Sequence, residues 1–372
     1  MSNHLAGYAD LHAHLMAHLA YGGRVFFGKP FPSGNIEGNA IEAALPHCDV
    51  AHGVGGEKVG VEDAHATGGY PEFDGWPRFS STLHQKAYVD WIHRAYEGGL
   101  RLVSCLAVNN KLLAEQFGSD GPTDDKHRYN LQFSAMKQLV DYVDGVSGGT
   151  GKGWLQIAES AADAEKIIKA NKLAVILGIE ATSLGNWLRP SDLPSDLPDA
   201  RKEIRAEIER LFRLGVRQIA PIHVTDNAFG GTAVYNYLFD ALNVHSTGRH
   251  FEIRDASASG VRYRLDEDRG TTGMAAEVAR YLSQEVQPAA WQETPGGHAN
   301  AKGLSSFGRI ALEEMMRYGM VIDIDHFSER AVDDALNLLE EYDYPVICSH
   351  TAFRELAFTA DRQFSDHTRR LY

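Results

Sequence analysis

Nearly continuous apolar runs recur along the chain, and amphipathic helical patterns lie between them. The runs are LRLVSCLAV (residues 100–108), KLAVILGIE (172–180), VRQIAPIHV (216–224), MVIDIDH (320–326) and YPVICSH (344–350). Strands that are apolar on both faces are typical of a parallel sheet that helices cover on both sides. The alternation therefore predicts an α/β fold.

One of the helices is predicted from the sequence TLHQ at residues 82–85, which has the form of a capping box. Apolar residues follow it at helical spacing as far as Ala95. The pattern predicts a helix that begins near residue 82 and carries His84 and His93 on its exposed side.

Two kinds of parallel α/β sheet fit this alternation. A doubly wound sheet would favour a glycine-rich phosphate loop after the first strand, and YGGRVFFGKP (21–30) does not have the G-x-G-x-x-G form. A (β/α)8 TIM-barrel-like fold is therefore favoured, as one domain over residues 1–372. Residues 20–80 and 225–300 break the rhythm, and we expect them to be long loop insertions that build or cover a site.

The ends of the apolar runs carry residues that bind metals. In ADLHAHLMAH (9–18), a strand would place His12 and His14 on one side, whereas a helix would pair His14 with His18. Because strand ends in a (β/α) barrel meet on one face, distant histidines and a carboxylate would meet there. Imidazoles with a carboxylate suit a pair of Zn²⁺-like ions. The later strand ends contribute Glu180, His223, His326 and His350.

Three acidic residues lie close to these ligands. Asp226 follows His223 and is either a turn residue or a hydrogen-bond partner of the substrate. Asp323 and Asp325 alternate with Ile324 and His326 along their strand, so we expect their side chains to face away from the ligand side. One of them either orients a metal-binding histidine or makes an ordinary hydrogen bond to a neighbouring loop.

Charge and composition limit the possible partners. A formal net charge of -14 argues against nucleic acid and anionic membranes. Three widely spaced cysteines favour a reducing compartment over a disulfide framework. No apolar run reaches the roughly 20 residues of a membrane span, and no secretion signal is visible. We therefore expect a cytoplasmic protein whose candidate protein partner is a second copy of itself, as a homodimer.

Part of the sequence resembles a known family. GLSSFGRIALEEMMRYGMVIDIDHFSERAVDDAL (303–336) and YPVICSHTAFREL (344–356) look like the membrane (renal) dipeptidases, which are binuclear zinc peptidases with an amidohydrolase-type TIM barrel. The resemblance is specific from about residue 303 to 366. Elsewhere it rests on the first strand, LGIEAT (177–182) and APIHVTDNAFGG (220–231).

The resemblance implies a set of roles. Glu180 would bridge two Zn²⁺ ions, His326 and His350 would complete one of them, and His12 with residue 14 would complete the other. His223 would polarise the substrate carbonyl, and Arg362 in DRQFSDH would bind the substrate carboxylate. The implied activity is cleavage of a small peptide or amide by a hydroxide held between the two metals.

The chain departs from the family pattern in two ways. The family has His-x-Asp in its first strand, where this chain has His-x-His. The family also has an acidic proton shuttle at the end of its eighth strand, whereas we count six clear strands and only residues 351–372 follow His350. We therefore expect a barrel truncated after about six strands. Two alternatives stay open, namely lactone or N-acyl amino acid hydrolysis and a non-catalytic metal-binding scaffold.

Overall fold

The computed structural model describes residues 5–32, 40–46, 84–234, 237–257 and 295–351. The chain divides into two compact units, Met1–Gly178 and Ile179–Tyr372. Each unit is described by itself. The single domain over residues 1–372 stays a prediction.

The first unit contains parallel strands connected through helices. Strand β1 pairs with β2, and β3 pairs with β4. The last seven residues of β2 are all buried, which explains why its sequence is an unbroken apolar run. The strands are β1 (Tyr8–Ala13), β2 (Leu100–Asn109), β3 (Leu155–Ile157) and β4 (Leu173–Ala181, whose last residues enter the second unit). The helices are α1 (Ala40–Ala44), α2 (Val89–Glu97), α3 (Lys111–Phe117), α4 (Asp125–Val146) and α5 (Ala161–Lys169).

The second unit repeats the same arrangement. Strand β5 pairs in parallel with β8, and β8 pairs in parallel with β9, while β6 and β7 form a separate antiparallel pair. The strands are β5 (Val216–Ala220), β6 (Ile253–Asp255), β7 (His298–Asn300), β8 (Val321–Asp323) and β9 (Val346–Ile347). The helices are α6 (Leu197–Arg213), α7 (Tyr237–Thr247), α8 (Ser306–Arg317) and α9 (Glu329–Glu341).

Side-chain caps determine where the helices of the second unit begin. The side chains of Asp196, Ser305 and Ser328 each accept a hydrogen bond from a backbone N–H in the first turn of α6, α8 and α9. Such caps satisfy N–H groups that have no partner inside the helix. The caps therefore fix the residues at which α6, α8 and α9 begin.

The predicted α/β class, with parallel strands connected through helices as in a (β/α) barrel, is confirmed. All six strands counted in the sequence are present, and the main sheet contains a seventh among the described residues. The strand that the sequence did not indicate is β3, whose three residues are too short for a periodic pattern. The interval 225–300 also contains α7, β6 and β7 where a loop insertion was expected.

The helix expected from residue 82 begins later. Residues 82 and 83 lie outside the described residues, and α2 begins at Val89, after Tyr88. His84 precedes the helix, is buried at 4% exposure and forms an isolated parallel bridge with Phe27. The prediction that His84 is exposed is therefore wrong. No helix among the described residues is long and apolar enough to cross a membrane.

Candidate metal centre

Glu180 lies near the end of β4, in the part of that strand that belongs to the second unit. Its side chain is 2% exposed, and three imidazoles surround it. Oε1 lies 2.8 Å from Nε2 of His326 and 3.5 Å from Nε2 of His350. Oε2 lies 3.5 Å from Nε2 of His223. A buried carboxylate with both oxygens facing ring nitrogens is suited to binding a cation.

The imidazoles also lie close to one another. The two Nε2 atoms of His326 and His350 are 2.8 Å apart. The ring centroids of His223 and His326 are 4.6 Å apart, with the rings at 85°. Glu180, His223 and His326 each offer a ligand atom, and these three atoms lie within 4.8 Å of one another. Because two neutral imidazoles can direct lone pairs at one point only if a cation or a shared proton lies there, the donor set fits a metal such as Zn²⁺.

Asp325 contacts both the backbone and the ring of His350. Its Oδ2 accepts the backbone N–H of His350 at 2.7 Å and lies 3.3 Å from the ring Nδ1 of the same residue. The hydroxyl of Ser349 is the nearer partner of this Nδ1, at 2.9 Å. Metal-binding histidines commonly donate their second ring N–H to such a carboxylate, which fixes the tautomer and leaves Nε2 for the metal. Asp325 thus lies beside a candidate metal-binding histidine, and its role in orienting that ring stays a prediction.

Asp323 supports Asp325 rather than a histidine. Its Oδ1 accepts the backbone N–H of Asp325 at 3.1 Å, and its Oδ2 accepts a hydrogen bond from Gln218 at 3.0 Å. Burial raises the pKa of Asp323 to about 6, and the charge of Asp325 adds to the rise.

The backbone is strained at two positions in this centre. Val224 has φ of 45° and His326 has φ of 64°, both in the left-handed region that non-glycine residues rarely adopt. At Val224 the N–H of Thr225 donates to the carbonyl of His223 at 2.6 Å, which closes a three-residue γ-turn. Outliers of this kind cluster at functional sites.

Asp226 makes its contacts within the protein. Its Oδ1 accepts hydrogen bonds from the backbone of Thr232 at 3.0 Å and from Asn300 at 2.8 Å, and its Oδ2 lies 3.7 Å from Nζ of Lys302. Burial raises the pKa of this carboxyl, while Lys302 and the hydrogen bonds oppose the rise. These contacts make Asp226 an anchor of the loop after β5, and its role in substrate binding stays a prediction.

In the first unit, His12 lies in β1 and His14 follows that strand. Both rings are partly buried, with centroids 4.6 Å apart and planes at 84°. Nδ1 of His14 lies 2.8 Å from the carbonyl of Leu106. Because a carbonyl can only accept, Nδ1 carries a proton in this hydrogen bond. The strand alternative for ADLHAHLMAH is confirmed, while metal binding by His12 and His14 stays a prediction.

One predicted residue lies outside the described residues, and one contact was missed. Arg362 lies outside the described residues. Thr182 was not predicted, although its Oγ1 lies 3.3 Å from Nδ1 of His223. The signal was present in the sequence, because Thr182 follows Glu180 by two positions, the spacing of one strand face.

Comparison with known proteins supports the resemblance found in the sequence. Residues 281–368 match the family described as membrane dipeptidase (peptidase family M19). A 59-residue segment is 42% identical to mouse Dipeptidase 3 and 44% identical to rat Dipeptidase 3. This segment is 16% of the chain and covers only 11% and 12% of those two proteins.

Solved structures give a weaker likeness over a longer stretch. A probable dipeptidase, PvdM, from Pseudomonas aeruginosa is 15% identical with a TM-score of 0.42, covering 75% of this chain and 50% of that one. A metallo peptidase from Rhodobacter sphaeroides, liganded with a phosphinate mimic of L-Ala-D-Ala, is 15% identical with a TM-score of 0.40, covering 75% and 61%. The chain thus spans about half to three-fifths of the length of these two structures.

The family match contains His326 and His350 together with residues that have structural roles. Gly308 in α8 leaves no room for a side chain, because a Cβ would lie 2.1 Å from the carbonyl oxygen of Phe229. The carboxylate of Glu314 is fully buried against arginines. Over residues 281–368 the chain matches the family model of the membrane dipeptidases, peptidase family M19, which confirms the resemblance found in the sequence.

Proposed function

We propose that this protein is a zinc-dependent hydrolase that cleaves dipeptides or closely similar amides. The observation that carries the proposal is the convergence of Glu180 with Nε2 of His326 and of His350 in a buried site. The family match over residues 281–368 supports the dipeptidase reaction class. Oriented imidazoles around a shared carboxylate are the donor set that zinc hydrolases use.

Each residue of the centre has a role in this proposal. Glu180, His326 and His350 would hold the metal, with Asp325 fixing the ring of His350. When bound, Zn²⁺ supplies a Lewis acid that lowers the pKa of water to about 7 and polarises carbonyl groups. The proposal keeps His12 and His14 as ligands of a second ion, as the sequence predicts.

His223 is suited to act on the substrate. Its Nδ1 lies near Oγ1 of Thr182, and its Nε2 faces Glu180 in a site where the side chain is only 9% exposed. A ring held on one side by a hydroxyl can present Nε2 to a substrate carbonyl and stabilise the charge that develops there. In the proposal, His223 binds and polarises the carbonyl of the scissile bond.

The test combines metal content with activity. We expect the purified 372-residue chain, expressed with Zn²⁺ in the medium, to contain bound zinc by elemental analysis. We also expect it to hydrolyse members of a panel containing L-Ala-L-Ala, L-Ala-D-Ala and Gly-Gly, and to lose this activity in the His223→Asn variant. The His93→Asn variant, on helix α2, is the control.

Two outcomes would contradict parts of the proposal. A zinc-loaded chain that hydrolyses N-acetyl amino acids or lactones and no dipeptide would show a different hydrolase reaction. A zinc-loaded chain with no hydrolysis of any of these compounds would leave a metal-binding protein without this catalytic function.

A further inference from the structure

A short segment of the second unit holds the carbonyl oxygen of His326. We name residues 231–233 the His326 strap. The hydroxyl of Thr232 donates to this oxygen at 2.9 Å, and the backbone N–H of Ala233 donates to it at 2.8 Å. Thr232 also forms an isolated antiparallel bridge with Phe327 and is fully buried. The strap therefore contacts the backbone at the position where His326 adopts its left-handed conformation.

The strap is itself anchored. The N–H of Thr232 donates to Oδ1 of Asp226 at 3.0 Å, and its carbonyl accepts a hydrogen bond from Asn300 at 2.8 Å. The carbonyl of Gly231 accepts the N–H of Ser328 at 2.9 Å. A Cβ at Gly231 would lie 2.2 Å from the carbonyl oxygen of Lys302, so the strap packs directly on a neighbouring backbone segment. These contacts fix the position of the Thr232 hydroxyl.

The conformation of His326 determines where its ring points. A non-glycine residue adopts positive φ only when its surroundings hold it there. If the carbonyl of His326 rotated away, the ring would leave its place 2.8 Å from Oε1 of Glu180. Two donors to one carbonyl oppose that rotation, and the Thr232 hydroxyl is the side-chain donor of the two.

We propose that Thr232 is a positioning residue for the metal centre, which holds His326 in its left-handed conformation through the hydrogen bond to the carbonyl oxygen. This inference rests on the proposed metal-dependent function and names a residue outside the ligand set on which its metal affinity depends. Because the loss of a supporting hydrogen bond behind a ligand typically lowers metal affinity by about 10- to 100-fold, we expect a loss in that range.

The experiment compares variants that differ in one hydroxyl. Thr232→Val removes the hydroxyl and keeps the shape, whereas Thr232→Ser keeps the hydroxyl. Thr225→Val is the matched control, because Thr225 is also fully buried and its hydroxyl has no hydrogen-bond partner in the part of the chain that the structure describes. Zinc affinity is measured on each full-length variant by competition with a chromophoric chelator.

We expect Thr232→Val to bind Zn²⁺ about 10- to 100-fold more weakly than the natural chain, and Thr232→Ser and Thr225→Val to bind within about threefold of it. A second measurement needs no metal. In the metal-free protein, the NMR backbone shifts of His326 should move towards those of a negative φ in Thr232→Val and stay in place in Thr225→Val.

Equal zinc affinity and unchanged His326 shifts in Thr232→Val would overturn the inference. So would an equal loss in Thr232→Ser, since the methyl packing would then carry the effect. If Thr232→Val does not fold, Thr232→Ala and Thr232→Ser give the same comparison, and equal affinities in those two overturn it as well. None of these results depends on dipeptide hydrolysis, so the reaction class can fail while the role of Thr232 stands, or the reverse.

Discussion

Oδ2 of Asp325 accepts a hydrogen bond from the backbone N–H of His350 at 2.7 Å and lies 3.3 Å from Nδ1 of the same ring. The same carboxylate accepts the N–H of His326 through Oδ1 at 3.0 Å. One fully buried side chain therefore contacts two of the three histidines that lie beside Glu180.

The first prediction concerns Asp325→Asn. The amide keeps the shape and loses the charge that faces Nδ1 of His350, so we expect zinc affinity to fall by about 10- to 100-fold. Chelator competition measures this change. Asp343→Asn is the control, because Asp343 is exposed and its positive φ of 50° suits asparagine. An unchanged affinity in Asp325→Asn would show that the charge of Asp325 is not needed to orient His350, and that its other contacts, such as the hydroxyl of Ser349, are sufficient.

The second prediction concerns Glu180→Gln. The substitution keeps the volume of the side chain and removes the only carboxylate among the four residues of the centre, so we expect zinc affinity to fall by at least about 100-fold. Elemental analysis after dialysis measures the effect. Glu203→Gln, on the exposed face of α6, should retain the zinc of the natural chain. Full zinc content in Glu180→Gln would place the metal elsewhere.

The third prediction concerns pH and His18. Burial, together with the charge of Lys29, lowers the pKa of His18 to about 4 from 6.5. The unfolded chain therefore binds a proton between these pH values that the folded chain excludes, and the free energy of unfolding decreases as pH falls from about 6.5 towards 4. This group contributes on the order of 1–3 kcal/mol to that decrease.

Urea unfolding at a series of pH values tests this expectation. His18→Gln should show a smaller decrease in the free energy of unfolding below pH 6.5 than the natural chain. Above about pH 7.5 the difference in the free energy of unfolding between the two proteins should no longer change with pH because of His18. Identical pH profiles for both proteins would mean that His18 is protonated equally easily in the folded and unfolded states.

The fourth prediction concerns the buried carboxylate of Glu314 in α8. Arg201 and Arg205 of α6 donate to it at 3.0 and 2.9 Å, and Arg317 lies 3.1 Å away. We expect Glu314→Gln to lower the free energy of unfolding by about 1–3 kcal/mol, because charge-assisted hydrogen bonds between two helices are lost while the partly exposed arginines regain water. Urea unfolding measures it, with Glu209→Gln as the more exposed control.

The ion cluster around Glu314 also loses stability as the pH falls, but for a different reason from His18. The folded protein favours the charged form of Glu314, whereas it favours the neutral form of His18. Burial by itself would raise the pKa of Glu314, but the hydrogen bonds from Arg205 and Arg201 outweigh it, and the pKa lies below its ordinary value of 4.5. The stabilisation is therefore complete above about pH 4.5 and is lost as the pH falls through the lowered pKa. A difference between the natural chain and Glu314→Gln that stays constant into strong acid would contradict this account.

The strand ends could be read from the sequence because burial on both faces makes a parallel strand an unbroken apolar run. Glu180, His223, His326 and His350 stand out as polar residues at or just beyond those runs, and the structure brings all four together. The positions that failed depend on tertiary context. His84 matched a helical pattern, but its backbone pairs with Phe27 instead, a long-range contact that local periodicity does not encode.

The residues that contact the candidate ligands, Asp325 and Thr232, were harder to predict because their roles also depend on tertiary context. Asp325 alternates with the ligand face of its strand, so the sequence placed it away from the metal and left its role open. Thr232 lies 94 positions before His326, and no local pattern connects a threonine hydroxyl to a carbonyl that far along the chain. The residues that bind a metal have a chemical signature, whereas the residues that hold them are found only in the folded structure.

The hydrogen bond from His14 to the carbonyl of Leu106 differs in kind from the contacts of the His350 ring, whose Nδ1 lies 2.9 Å from the hydroxyl of Ser349 and 3.3 Å from the carboxylate of Asp325. Its acceptor is a main-chain atom, so substitution of Leu106 by most other residues leaves the acceptor in place. Both partners of Nδ1 of His350 are side chains, which substitution at position 325 or 349 can remove. Natural variation can therefore change the partners of the His350 ring through positions 325 and 349, while the partner of His14 Nδ1 is protected from mutation at Leu106.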